Sequence, residues 1–129
     1  MTPCRDLAAS IGWTDEIGRA TAPFSYARWT PESQEHSGST PRDRGLAATF
    51  WRGPTDRTAL RAALADIMTP THVVVGALDL SPGPTTGARI ANFFGNGSAH
   101  ALERAAHFPW LDDPVAFTTL MRQLLDDQA

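Results

Sequence analysis

Hydrophobic positions along this chain change period several times, and the changes mark its elements. From Arg57 to Ile67 the apolar residues Leu60, Ala63, Leu64 and Ile67 recur on one helical face, with Asp56 placed as N-cap and Pro70 beyond the end. The spacing predicts an amphipathic helix packed on a sheet face. Thr71 to Leu78 is a nearly unbroken apolar run bounded by Pro70 and by the turn-rich Leu80-Ser-Pro-Gly-Pro84. It reads as a short buried strand, about 72–78, that ends at Asp79. Ile90, Phe93 and Phe94 return to helical spacing and give a helix from Ala88, which Gly95-Asn-Gly97 breaks before a weaker strand at about 99–102. Strand, helix and strand make a crossover unit, which sets the two strands side by side and parallel. Phe117, Leu120, Met121, Leu124 and Leu125 form the stripe of a last helix, capped by Asp113 with Pro114 at its first position. Asp126 and Asp127 oppose the helix dipole and predict fraying after Leu125.

Residues 1–54 are less periodic. Asp6 to Ile17 is short helix or irregular, with Thr14-Asp-Glu16 able to begin a helical turn. Thr21 to Tyr26 reads as a loop, because Pro23 disfavours helical backbone at Ala22. Thr30, Pro31 and Ser33 make a good helix start, Ser37 to Asp43 is turn-rich, and Leu46 to Trp51 is a short helix ended by Gly53-Pro54. The chain thus divides into short helices and turns over 1–54 and an α/β segment over 55–129.

Composition narrows the function classes. With 129 residues, 42% of them hydrophobic and 19% charged, the chain has the size and make-up of one soluble domain. A net charge of −3 and scattered Arg42 and Arg44 argue against a nucleic-acid or anionic-membrane surface. All 11 basic residues are arginine, which suggests a GC-rich genome. Cys4 is the single cysteine, so no internal disulfide forms, and a cytoplasmic location is expected. Met1 to Leu7 has no apolar core of signal-peptide length, and no stretch reaches the roughly 20 apolar residues of a membrane span.

Candidate chemistry collects where the strands end. In open α/β sheets functional groups gather at the carboxyl ends of parallel strands, and both Asp79 and His107 sit at such ends. Neighbouring strands bring the two together. An Asp hydrogen-bonded to one imidazole nitrogen fixes the tautomer and leaves the other nitrogen to take a proton. Taken singly, Asp79 is equally a turn residue before Ser-Pro-Gly, and His107 equally a half-buried histidine beside Phe108-Pro109-Trp110. His72 and His100, on the adjacent strands, could ligate a metal, but no third ligand is placed to complete the site, so no metal and no cofactor is expected. His36 is read as a surface residue, and Asp112 and Asp113 as helix-capping carboxylates.

Val73-Val-Val-Gly-Ala-Leu-Asp79, followed after a helix by Ala106-His-Phe-Pro-Trp-Leu-Asp-Asp-Pro114, resembles the last two strands of the α/β-hydrolase superfamily, within its proline iminopeptidase-like group. Ala22-Pro-Phe-Ser-Tyr-Ala-Arg-Trp29 and Gln34-Glu-His36 are similar to the end of the lid in actinobacterial-type members. The resemblance covers roughly Ala22 to the C-terminus. It implies a serine-hydrolase-type protein acting on esters, amides or peptides, with a partial α/β-hydrolase fold and a helical lid remnant. Asp79 is the implied triad acid and His107 the implied base. Three positions depart from the family pattern: Ala106 replaces a glycine before the histidine, Ala77 stands where Glu is frequent, and the eighth strand shrinks to Ala99-His-Ala-Leu102. If a left-handed conformation were required at Ala106, it would cost on the order of 1 kcal/mol.

The nucleophile of such enzymes sits in a G-x-S-x-G elbow ahead of the acid. None of Ser10, Ser25, Ser33, Ser37, Ser39, Ser81 or Ser98 fits that pattern, and no H-G-G-G-type oxyanion segment occurs. The chain therefore reads as the C-terminal half of such a protein, truncated and inactive alone. Two alternatives stand beside that: the catalytic half of a split hydrolase whose serine comes from another chain, or an interaction module. Either a partner chain or self-association is expected through the exposed edge of the strand at 72–78.

Overall fold

The computed structural model of the chain describes residues 15–39 and 56–126. The readings for residues 6–14, for Leu46 to Trp51 and for the boundary at 54/55 lie outside them. Along the chain the described elements are α1 (Asp15–Thr21), a 3-10 turn (Ala22–Ser25), α2 (Pro31–Ser39), α3 (Arg57–Ala65), β1 (Thr71–Gly76), α4 (Pro84–Ala91), β2 (Gly97–Leu102), α5 (Pro109–Asp112) and α6 (Pro114–Asp126).

β1 and β2 pair in parallel, from Thr71 opposite Gly97 to Gly76 opposite Leu102. The expected crossover is present, with α4 as the connecting helix. α4 covers one sheet face closely: a Cβ added at Gly87 would stand 2.7 Å from Cγ1 of Val75. Val75, Ala91, Leu102, Ala105 and Ala106 are buried around this contact.

Element limits differ from the sequence reading in instructive places. α4 begins at Pro84 rather than Ala88, since Pro fits the first helical position and Gly83 takes the N-cap. It ends at Ala91, so Phe93 and Phe94 belong to the connection instead of the helix. β1 stops at Gly76 because Leu78 N donates to Ala105 O at 2.9 Å and Asp79 N to Gly76 O at 3.2 Å, which bends the chain into a turn. The segment read as a loop before Tyr26 is a 3-10 turn, a conformation whose first positions accept Pro23 without a missing bond. α2 is capped reciprocally, with Thr30 N donating to Ser33 Oγ at 2.7 Å and Ser33 N to Thr30 Oγ1 at 3.3 Å, and it runs on through Ser39 where turns were expected.

α3 does not pack on the sheet. Asp56 caps it as expected, through Thr58 N at 2.9 Å and Ala59 N at 3.0 Å, yet it buries no residue and Leu60 is 48% exposed. A pair of strands is roughly one helix wide, so α4 alone fills one face. The opposite face carries His72, Ser98 and His100, which offer α3 little apolar surface. α3 lies instead by the α4–β2 connection, where the Arg61 guanidinium stands 5.1 Å from the Phe93 ring centroid. In α6 the stripe buries Leu124, while Leu125 points to solvent and the helix continues to Asp126. Among the described residues no helix is long and apolar enough to cross a membrane.

Candidate functional site

The site is built where the ends of β1 and β2 converge. Ala77 N donates to Leu102 O and Leu78 N to Ala105 O, both at 2.9 Å, which ties the turn after β1 to the loop after β2. Gly76 is the residue that permits this approach. A Cβ there would overlap the carbonyl oxygens of both Ala105 and Ala106. No described residue other than glycine has positive φ, so Ala106 is not left-handed and the cost anticipated for it does not arise.

Asp79 and His107, 28 positions apart, meet at this junction with Nδ1 of His107 2.8 Å from Oδ2 of Asp79. The other carboxylate oxygen accepts Ser81 N at 2.9 Å. The Asp79 side chain is 8% exposed and that of His107 44%, so the acid is buried beneath a ring that faces outward. An ionised carboxylate only accepts, which places the imidazole proton on Nδ1 and leaves Nε2 as the basic nitrogen.

Two further supports hold His107. Its backbone N–H donates to Ser25 O at 3.1 Å. Asp112 accepts from Ala106 N at 2.8 Å through Oδ2 and from Ala27 N at 3.0 Å through Oδ1, tying the 3-10 turn region to the residue before the histidine. Asp112 was read as a helix cap, and the structure corrects that. Only Asp113 caps α6, through Ala116 N at 3.1 Å, and it also pairs with Arg104 at 2.7 Å. The Ala116 amide, then the Arg104 side chain, holds the Asp113 carboxyl below the usual aspartate value against the opposing effect of burial.

Aromatic rings close the site on the side of the 3-10 turn and α2. Phe108 stands edge-on to His107 at 5.1 Å between centroids and packs against Tyr26 at 4.9 Å and His36 at 4.7 Å. Tyr26 OH is 2.7 Å from His36 Nδ1, so His36 belongs to this cluster and is not the surface residue expected. The Ser81 hydroxyl makes no hydrogen bond to His107 among the described residues; only the Ser81 backbone reaches the acid. The cleft lined by Ala27, Arg28, Leu78, Glu103, Arg104 and Asp112 runs beside the pair and includes neither Asp79 nor His107. No three His, Cys, Asp or Glu side chains among the described residues gather as metal ligands. His72 and His100 do approach each other, at 3.3 Å.

Sequence comparison with family profiles and with curated proteins finds no match. Structural comparison does. A non-heme bromoperoxidase of the α/β-hydrolase superfamily, BpoC from Mycobacterium tuberculosis H37Rv, superposes with a TM-score of 0.59 at 18% identity, over 98% of this chain and 54% of that one. Two parallel strands, their crossover and the flanking helices are therefore part of an α/β-hydrolase fold. The chain spans about half the length (54%) of the solved structure it matches.

Proposed function

We propose that this chain is the acid-and-histidine half of a serine-hydrolase-type protein of the α/β-hydrolase superfamily, with Asp79 as triad acid and His107 as general base. The observation that carries the reading is the 2.8 Å contact between these side chains at the carboxyl ends of adjacent parallel strands. A structural neighbour from the same superfamily supports it, and the residues quoted above favour the proline iminopeptidase-like group and a cytoplasmic setting. Asp79 orients the ring and stabilises the imidazolium, while Nε2 takes a proton from an attacking hydroxyl and returns it to the leaving group. Acyl transfer also needs that hydroxyl and donors for the oxyanion, and the G-x-S-x-G elbow that supplies both is absent from the 129 residues. The chain alone is inactive.

The experiment is to treat purified chain with a fluorophosphonate probe and with p-nitrophenyl esters and proline arylamides. No labelled serine and no turnover above buffer are expected. A stoichiometric adduct on Ser81 that His107→Ala abolishes would overturn the reading. The geometry of the pair favours a second reading, in which another polypeptide supplies the serine. It predicts that co-expression with an upstream-encoded segment bearing G-x-S-x-G restores labelling on that segment, dependent on His107.

A further inference from the structure

We propose that Phe108 is the positioning residue of the His107 imidazole, the side chain that keeps Nδ1 on Asp79 and Nε2 turned outward. The inference rests on the reading of Asp79 and His107 as acid and base, and it names what holds the base still. One partner of the pair is already fixed: the Asp79 side chain is 8% exposed, and its second oxygen accepts Ser81 N at 2.9 Å. The imidazole is not fixed by that bond alone. Its side chain is 44% exposed and reaches the acid through a single hydrogen bond of 2.8 Å. A side chain has three staggered wells about χ1, and a move from one to another swings the ring off the carboxylate.

The Phe108 ring meets His107 in the same well that reaches Asp79, at 5.1 Å between centroids and 86° between planes. Perpendicular rings at this separation attract through their quadrupoles, so the aromatic contact and the hydrogen bond reinforce one rotamer. Phe108 does not depend on His107 for its own place. Its carbonyl accepts Leu111 N at 2.9 Å and Asp112 N at 3.0 Å where α5 begins. Its ring packs against Tyr26 at 4.9 Å, His36 at 4.7 Å and Trp110 at 5.6 Å. Tyr26 is 7% exposed and its hydroxyl lies 2.7 Å from His36 Nδ1, which gives the Phe108 ring a buried backing. Support therefore runs from Tyr26 and His36 through Phe108 to the base, and an exposed imidazole keeps one orientation because its neighbour in sequence is held by residues remote from it.

The test follows the His107 ring by NMR in the full chain at alkaline pH, with the histidines neutral and the His107 signals assigned by their loss in His107→Ala. Wild type should show one χ1 rotamer, the Nδ1–H tautomer and cross-relaxation between the His107 and Phe108 rings. In Phe108→Ala the ratio of docked to swung-out imidazole should fall about two- to tenfold, the size of one aromatic contact, with the Nε2–H tautomer appearing. Phe108→Tyr keeps the ring and should hold the wild-type rotamer. Amide signals of β1 and β2 report that each variant is folded. An unchanged rotamer and tautomer in Phe108→Ala would overturn the proposal and leave the acid and base paired. Averaged χ1 rotamers in wild type would overturn it with no variant needed. An Nε2–H tautomer in wild type would instead remove the Asp79–His107 pairing itself, and the positioning role would fall with it.

Discussion

A single carboxylate, Asp112, joins three parts of the chain that sequence separates. Ala106 is 1% exposed, and its N–H has the Asp112 carboxylate as partner. Removing a partner from a buried donor costs about 1–3 kcal/mol, more when the acceptor is charged. Asp112→Ala should therefore lower the unfolding free energy by that order, read as a lower urea midpoint at unchanged m-value, with Asp112→Asn retaining part of it. An unchanged midpoint would show that water serves the two amides as well. Asp79 and His107 were legible in the sequence because a βαβ unit makes its strands neighbours and so names which distant residues meet. Asp112 was not. Its partners Ala27 and Ala106 lie 85 and 6 positions away, with no periodicity linking them.

At the scale of elements, the two ends that matter are the exit of β1 and the entry of α6. Gly76→Ala sets a methyl group against the carbonyls of Ala105 and Ala106, backbone atoms that cannot rotate aside. Overpacking of this kind costs about 1–3 kcal/mol. The expected sign is destabilisation together with loss of the Asp79–His107 contact, read as a changed His107 ring environment in NMR. Entry into α6 depends on Asp113. Its folded pKa lies below the ordinary 3.8, so the unfolded chain holds more protons between the two values. Its contribution is present above 3.8 and is lost as pH falls through the lowered value. Urea midpoints of wild type should fall toward those of Asp113→Asn below that pH, and parallel curves would contradict the assignment. The α6 cap was readable from Asp-Pro, a local signal. α4 was misplaced because the Phe93 and Phe94 spacing outweighed Gly-Pro at 83–84, and α3 was misdirected because an apolar stripe does not say which surface is free to receive it.

At the scale of the whole molecule, the described residues bury little. No large side chain among the described residues is fully buried, while Phe24, Met68, Leu80, Val115 and Leu125 are each 65% exposed or more. Among the described residues β1 pairs with β2 alone, which leaves apolar edge groups of a kind that recruit further strands. Purified chain should bind a hydrophobic dye and elute larger than a 13.9 kDa monomer in size-exclusion chromatography. A monomer that ignores the dye would contradict this.

The register of β1 on β2 also acts as a ruler for the site. Asp79 is three residues past Gly76 and His107 five past Leu102, and Gly76 and Leu102 are themselves partners. Sliding one strand by a single residue would turn every side chain to the wrong face. A slide of two would restore the faces but carry the acid about 7 Å from the imidazole, beyond any hydrogen bond. Alignment of two short strands is thus the caliper that sets a bond between groups lying outside both of them.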